Sequence, residues 1–334
     1  MTYKIVGKEV GPIGFGLMGL TTSPLPDEVT FAAIRAALDA GCNYFNGGEF
    51  YGPPGANSLS LLRRYLEKYP SDADRIVLSV KGALGYDFVP RGSKDAVRES
   101  IDACMDTLGP KGRIDEFEAA RKDPKSDYED ETLAAIDEYV QEGKVGGVSC
   151  SEINANTLRS AAKKFKITSV ELELSLFTRE PLTNGLLEAC AELDIPVLAY
   201  LSTPAPLGRG FLGGQIKSVE DVPENDMRRL HHSRWQGENF QKNLQLVSGI
   251  ESLARKKGCT TSQIAINWLL ALSRRPGMPK IIPIPGSSKP ERIRENATIV
   301  DLSDEDLADI DKVLTSFKPA GDRTPGWAMH LLDG

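Results

Sequence analysis

Short apolar runs alternate with longer amphipathic stretches along most of this 334-residue chain. The apolar runs are rich in β-branched residues and predict strands at 13–20, 42–46, 76–81, 114–120, 145–151, 169–175, 196–202 and 280–285. The stretches between them predict helices, among them 27–39, 93–108, 130–141, 156–165 and 186–193. Parallel strands joined by helical crossovers form a sheet with its helices outside. Eight such units predict an α/β protein with the (β/α)8 fold of a TIM barrel.

Residues that typically begin, end or interrupt helices agree with this architecture. Asp27 is placed to cap the predicted helix 27–39 at its start, and Gly41 and Gly143 follow the ends of that helix and of the one at 130–141. Residues 14–19 have the spacing of a dinucleotide-binding glycine motif, but two prolines at 24 and 26 oppose an immediate helix and a doubly wound fold. No linker divides the chain, so residues 1–334 are predicted to form one domain. The long connection after the seventh strand, from 208 to about 239, is expected at the catalytic end of the barrel.

Composition limits which partners and which cellular compartment we expect for this protein. A formal charge of −7 and a pI near 5.3 oppose a nucleic-acid partner, because nucleic-acid-binding domains carry a basic face. Five cysteines without a C-x-x-C pair and only three histidines predict reduced thiols and no metal site. No apolar run approaches the ~20 residues of a membrane span. We expect a cytoplasmic monomer or weak oligomer that acts on a small molecule and has no membrane partner.

Two polar residues at predicted strand ends are candidates for acid–base chemistry. Tyr51 follows the second strand, and Lys81 ends the third. Side chains at the carboxyl ends of barrel strands meet at the catalytic face, where an ammonium lowers the pKa of a nearby tyrosine. The alternatives are a packing tyrosine and a solvated lysine at a loop edge.

Several segments, in order along nearly the whole chain, resemble motifs of the aldo-keto reductases. Residues 45–52 resemble their F-D-T-A-x-x-Y-G signature, and 76–82 resemble the strand that delivers their active-site lysine. Residues 143–149, 206–212 and 282–292 resemble their G-K-[IV]-R-x-[IL]-G segment, their S-P-L-G-R-G-x-L loop and their final cofactor segment. The resemblance implies a barrel that passes hydride between NADPH and an aldehyde.

Two departures from the family pattern change the expected site. Asn46 stands where the family has an aspartate, and Ala120 stands at the position of its histidine. This combination is similar to the fungal pyridoxal reductase branch, which implies reduction of pyridoxal to pyridoxine and a role in vitamin B6 metabolism. The resemblance makes Tyr51 the proton donor, assisted by Lys81, with Asn46 positioning Lys81. Without the aspartate, we expect a lower pKa for Lys81 than in an Asp-bearing site, and intact reduction near neutral pH. We also expect slow alcohol oxidation that gains less at alkaline pH than in an Asp-bearing relative.

Positional matching also assigns the cofactor residues. Glu152 replaces a more usual asparagine and Glu171 a more usual glutamine beside the nicotinamide carboxamide, and Tyr200 matches the aromatic residue that stacks on the ring. Hydroxyls and cations at the start of a predicted helix suit the 2′-phosphate of NADPH, although a solvated helix start is the alternative. The full cofactor set is Ser151, Glu152, Glu171, Tyr200, Leu207, Gly208, Arg209, Gly210, Gly286, Ser287, Ser288, Lys289, Arg292, Glu295 and Asn296.

Other functions stay open from the sequence. The missing aspartate and histidine favour a catalytically weakened, NADPH-binding barrel that serves as a redox-sensing partner subunit. A barrel hydrolase or isomerase would use paired carboxylates, for which Glu116 and Glu118 are the candidates. His231 and His232 could replace the missing histidine, but solvated loop side chains are the favoured interpretation. Trp235 and Phe240 are either walls for an aromatic substrate or anchors for the loop.

Overall fold

The strands of the protein form a small hairpin and a large parallel sheet. A computed structural model describes residues 2–23, 25–200, 218–222, 224 and 227–332. The antiparallel hairpin consists of β1 (Tyr3–Ile5) and β2 (Lys8–Val10). The parallel sheet consists of β3 (Phe15–Gly16), β4 (Tyr44–Gly48), β5 (Val77–Gly82), β6 (Glu116–Ala119), β7 (Val148–Ser151), β8 (Ile167–Glu173), β9 (Val197–Tyr200) and β10 (Ile281–Pro283). Each of these strands pairs with the next one along the chain.

Two backbone hydrogen bonds close the parallel sheet into a barrel. Gly14 donates its N–H to the oxygen of Pro283 at 2.8 Å, and Gly16 donates to Pro285 at 3.1 Å, which joins the two ends of the strand order. A Cβ on Gly16 would lie 2.9 Å from the carbonyl oxygen of Ile284, so this approach depends on glycine. The predicted (β/α)8 barrel is confirmed. These two glycines, part of the dinucleotide-like motif, serve its closure.

Helices connect the strands on the outside of the barrel, and helices also make up most of the carboxyl-terminal part of the chain. Each helix named from the sequence is present, although the one expected at 130–141 begins with a π-helical turn (Tyr128–Leu133). The helices are α1 (Asp27–Asp39), α2 (Ser58–Lys68), α3 (Lys94–Leu108), α4 (Ala134–Gln141), α5 (Ala155–Lys164), α6 (Leu186–Glu192), α7 (Met227–His231), α8 (Gly237–Lys257), α9 (Thr261–Leu272), α10 (Pro290–Ala297) and α11 (Asp304–Ser316).

The helix ends agree with the sequence at two glycines and differ at one aspartate. Gly41 and Gly143 adopt φ of 79° and 72° just after α1 and α4, as expected for glycines that end helices. The prediction that Asp27 caps α1 is wrong, because Pro26 occupies the cap position and Asp27 is the first helical residue. Its carboxylate instead binds Arg64 of α2 at 2.9 Å.

The hairpin closes one end of the barrel with an apolar floor. Tyr3, Ile5 and Val10 pack against Tyr44 and Val77, which lie at the beginnings of β4 and β5. No expectation from the sequence covered this hairpin, because its strands are only three residues long. With the amino ends of the strands sealed by side chains, the open end of the barrel is the one at their carboxyl ends.

The described residues contain no helix with the length and apolarity of a membrane span. All five cysteines are free thiols. Cys259 is partly exposed and the other four are buried, which agrees with the expectation of reduced thiols.

Candidate active site

The carboxyl ends of five barrel strands bring together residues that are distant in the sequence. Asn46 lies on β4, Lys81 on β5, Ser151 on β7, Glu171 on β8 and Tyr200 on β9. In a parallel barrel these ends face the same opening, where active sites of this fold are assembled. We call this group of side chains, with the loop residue Tyr51, the barrel mouth.

Glu171 connects two of the predicted catalytic residues. Its Oε1 lies 2.6 Å from Nζ of Lys81, and its Oε2 accepts a hydrogen bond from Nδ2 of Asn46 at 2.6 Å. Glu118 approaches Lys81 from β6 at 3.5 Å. Asn46 is therefore linked to Lys81 through Glu171, which supplies the negative charge that Asn46 lacks, and the expectation of a lowered pKa for Lys81 is wrong.

The electrostatic balance around Lys81 favours its charged form. Burial alone would lower the pKa of Lys81, but Coulomb attraction, chiefly from Glu171, outweighs it and raises that pKa well above the ordinary value. Burial and the neighbouring Glu171 carboxylate raise the pKa of Glu118 well above its ordinary value. Lys81 and Glu171 thus form a buried ion pair in the barrel interior.

Tyr51 lies in the loop after β4 and is almost fully buried. Its carbonyl accepts a hydrogen bond from the hydroxyl of Thr21 at 2.7 Å and another from the N–H of Ser58 at 3.0 Å, so the backbone is held on both sides. A Cβ on Gly48 would lie 2.9 Å from the Tyr51 ring, so glycine at this strand end leaves room for the ring. Burial raises the pKa of Tyr51 to about 12, with the charge of Lys81 opposing the rise. The hydroxyl is therefore protonated near neutral pH and suited to donate a proton.

Glu152 anchors a second polar cluster at the mouth. Its Oε1 accepts hydrogen bonds from the N–H of Glu173 at 2.8 Å, from the hydroxyl of Tyr200 at 2.7 Å and from the guanidinium of Arg323. Arg323 also pairs with Glu173 at 2.6 Å. Burial opposes ionisation of Glu152, but Arg323 and Arg121 outweigh it and lower its pKa. The Oε1 atom is thus occupied by the protein's own donors.

Arg323 and Arg121 are two cations of this end that sequence reasoning did not single out. Arg323 comes from the chain segment after α11, 171 residues beyond Glu152, and no local pattern marks it. Arg121 directly follows Ala120 at the end of β6 and donates to the carbonyl of Ala120. Arg121 could have been found from the sequence, because it directly follows Ala120, the position where the family has its histidine.

Ser151 is the mouth residue whose side chain is left unsatisfied. Its hydroxyl is buried at the end of β7 and has no hydrogen-bond partner among the described residues. Buried hydroxyls normally find a partner. This atom therefore fits a polar group of a bound molecule, such as the carboxamide expected there.

The predicted phosphate segment lies where β10 leads into α10. Lys289 is exposed at the cap position of α10, and Pro290 begins the helix. Arg292 is about one third exposed and pairs with Glu295 at 2.8 Å. Gly286 approaches the carbonyl of Gly16 so closely that a Cβ there would lie 2.5 Å from it. The remaining predicted residues of this segment are the partly buried Ser287 and Ser288 and the buried Asn296.

The long connection after β9 gives mixed outcomes. Leu207, Gly208, Arg209 and Gly210 lie outside the described residues. His231 is exposed at the end of α7, but His232 is buried, so the interpretation of both as solvated is wrong for His232. The rings of Trp235 and Phe240 lie 5.8 Å apart and are buried. Their burial in the core supports the alternative in which they anchor the loop.

Comparison with known proteins places this geometry in context. Residues 12–315 match the model of the aldo/keto reductase family. A probable pyridoxal reductase 2 of Schizosaccharomyces pombe is 38% identical over 329 residues, which cover 94% of this chain and 95% of the relative. A putative pyridoxal reductase of Saccharomyces cerevisiae is 37% identical, covering 93% and 94% of the two chains. The glycerol dehydrogenase AKR11B4 of Gluconobacter oxydans has a similar structure, with a TM-score of 0.81, 23% identity and coverage of 97% and 98%.

Proposed function

Because this chain belongs to the aldo/keto reductase family, we propose that it reduces a small aldehyde, foremost pyridoxal to pyridoxine, with NADPH as the hydride donor. The observation that carries the proposal is the buried pair of Lys81 and Glu171 beside a protonated Tyr51. This arrangement supplies a proton donor and a fixed cation in one water-poor opening, as carbonyl reduction requires.

The chain's own residues would perform the proton transfer. When bound, NADPH would supply a hydride to the carbonyl carbon. Tyr51 donates its hydroxyl proton to the carbonyl oxygen, and the ammonium of Lys81 stabilises the phenolate that remains. Asn46 and Glu171 hold Lys81 in place through hydrogen bonds. Each of these roles follows from the side chain's charge and position at the mouth.

Two parts of the site suit the two ends of the cofactor. The unsatisfied hydroxyl of Ser151 suits the carboxamide, and the ring of Tyr200 at the end of β9 suits stacking on the nicotinamide. At the other end, Lys289 and Arg292 flank the start of α10, where backbone N–H groups and cations favour a phosphate. The exposed cations favour NADPH over NADH, because the additional phosphate is what they would bind.

Pyridoxal is the proposed substrate because the two fungal relatives carry that activity in their names. Ala120 offers only a methyl group where a larger donor side chain stands in the family pattern. The ring hydroxyl of pyridoxal lies beside its aldehyde and is able to donate a hydrogen bond to the carbonyl oxygen. The substrate thus brings a donor to a site from which the histidine is missing.

Absorbance of NADPH during mixing with pyridoxal and a panel of other aldehydes tests this function. We expect consumption of NADPH with pyridoxal, slower consumption with NADH, and almost none for a Tyr51→Phe variant. Tight NADPH binding without turnover for any aldehyde would contradict the proposal. That outcome would favour the redox-sensing partner subunit, which keeps the cofactor and lacks the chemistry.

A further inference from the structure

The carboxylate that pairs with Lys81 comes from a different strand than in the family pattern. That pattern has an aspartate at position 46 and a glutamine at position 171, whereas this chain has Asn46 and Glu171. We propose that acid and amide have exchanged places across the barrel, and that Glu171 is the positioning residue that keeps Lys81 charged and fixed. The kinetic part of this inference rests on the proposed function, and its structural part does not.

The geometry makes one bridged unit of the three side chains. Asn46 on β4 and Lys81 on β5 are on neighbouring strands, and Glu171 reaches both from β8, three strands beyond β5. All three are at least 96% buried, so water does not screen the pair. An amide at 46 donates to the carboxylate at 171, which an aspartate at 46 is unable to do when ionised. The two substitutions are therefore complementary, and each depends on the other.

Both oxygens of Glu171 are already engaged by this unit. Oε1 binds Lys81, and Oε2 accepts from Asn46. This use differs from the role at the nicotinamide carboxamide that positional matching implies. If Glu171 serves Lys81, its loss alters the state of the lysine while cofactor affinity is largely kept. If it serves the carboxamide, the reverse holds.

The other groups that face Lys81 do not replace Glu171. Glu118 on β6 lies farther away, at 3.5 Å against 2.6 Å for Glu171, and burial raises its pKa well above the ordinary value, which weakens it as a counter-charge. The ring of Tyr200 on β9 lies 5.3 Å from Nζ, and Tyr51 stays protonated near neutral pH. In the described residues around Lys81, Glu171 is therefore the carboxylate nearest to its ammonium and the main source of the attraction that keeps it charged. Removal of that attraction leaves a buried ammonium, which favours loss of its proton.

Titration of Lys81 in the cofactor-free protein tests the structural part. Lysine labelled with 13C at Cε is followed by NMR against pH, and the Lys81 signal is assigned by its loss in Lys81→Met. We expect Glu171→Gln to lower the titration midpoint of Lys81 by about one unit or more, in keeping with the effect of one close opposite charge. The double variant Asn46→Asp with Glu171→Gln should restore it.

Glu116→Gln is the matched control, because Glu116 is an equally buried glutamate that binds Tyr44 and Ser169 instead. It should leave the Lys81 midpoint unchanged. An unchanged midpoint in Glu171→Gln overturns the proposal. If Glu171→Gln fails to fold, a folded double variant with the wild-type midpoint still supports the exchange, and a double variant that also fails to fold contradicts it.

Steady-state kinetics with NADPH and pyridoxal test the catalytic part. We expect Glu171→Gln to reduce kcat by about 10²-fold, the lower end of what proton-transfer groups contribute, while the Kd of NADPH changes by less than about threefold. Asn46→Asp alone sets two carboxylates against each other and should also reduce kcat, whereas the double variant should recover to within about tenfold of wild type. Loss of NADPH affinity at unchanged kcat would assign Glu171 to the cofactor. Absence of turnover in the wild type would instead defeat the proposed function and leave the titration as the test of the pair.

Discussion

The barrel mouth and the start of α10 both belong to the proposed site, yet they hold their charges in different ways. At the mouth, Lys81 is only 4% exposed and bound to Glu171, so its charge depends on a partner from another strand. At α10, Lys289 is exposed, and Arg292 pairs with a residue three positions away on its own helix. The first region is a coupled network in low dielectric, and the second is a set of nearly independent cations in water.

This difference determines how each region tolerates substitution. In a coupled buried network, removal of one partner leaves an uncompensated charge. A single substitution there lowers stability, whereas a second, complementary substitution restores the balance. The pairing of Asn46 with Glu171 has this character. Cations at a solvated helix start are removable one at a time, and each loss should affect only the ligand group that it contacts. We therefore expect the effects of substitutions at the mouth to depend strongly on one another, and the effects of substitutions at α10 to add.

The largest expected effect is on stability, from Arg323→Ala at the rim of the mouth. Arg323 balances the buried carboxylates of Glu152 and Glu173, and removal of one partner of a buried pair typically costs about 3–5 kcal/mol. Urea unfolding of wild type and variant measures the loss. Lys312→Ala is the exposed control, because its pair with Asp309 on α11 is solvated, and it should leave the free energy of unfolding nearly unchanged. Equal losses of unfolding free energy in the two variants would contradict the expectation that a buried charge matters more for stability than an exposed one.

Next in size is the effect of Tyr51→Phe on turnover. Loss of a general acid reduces kcat by about 10²-fold or more, while NADPH affinity should stay close to wild type. Steady-state reduction of pyridoxal, together with a fluorescence titration of NADPH, separates the two quantities. Near-normal turnover in a folded variant would exclude Tyr51 as the proton donor.

Arg292→Ala should act on one cofactor alone. A charge-assisted hydrogen bond to phosphate contributes about 1.5–3 kcal/mol, so NADPH binding should weaken by about one to two decades and NADH binding should hardly change. Calorimetric titration of both cofactors measures the two losses. A combined change of Lys289 and Arg292 should give roughly the sum of the single effects, unlike the pair at the mouth. If both cofactors lose affinity equally, Arg292 does not bind the 2′-phosphate.

The smallest expected effect is the response of the reduction rate to pH, which contrasts with a steep response of the reverse reaction. Tyr51 has a pKa of about 12 and Lys81 is held charged, so reduction should stay nearly level from about pH 6 to about pH 9. Oxidation of pyridoxine needs the phenolate of Tyr51, whose fraction rises about tenfold per pH unit below its pKa. Initial rates in both directions test this. If alcohol oxidation does not rise with pH, Lys81 lacks the compensating charge that Glu171 is proposed to supply.

The elements of the fold were predictable from the sequence because strands and helices are encoded by local periodicity. The short hairpin from Tyr3 to Val10 was missed, since three-residue strands are too short to establish a pattern. The pairing of Lys81 with Glu171 joins residues 90 positions apart and follows only from closure of the barrel. Arg323 is a similar case, because a charged residue after the last helix has no local feature that marks it as the partner of two buried glutamates. Residue types at strand ends were thus predictable, whereas their partners were not.

Transfer of deuterium from the cofactor to the product tests the central claim most directly. NADPH carrying deuterium at both C4 positions is mixed with pyridoxal and the protein, and the alcohol is analysed by mass spectrometry and NMR. We predict pyridoxine with one deuterium on the former aldehyde carbon for the wild type, and far less of it after the same time for Tyr51→Phe. Binding of the deuterated NADPH without deuterium in any alcohol product would contradict the assignment of the barrel mouth as an aldehyde-reducing site.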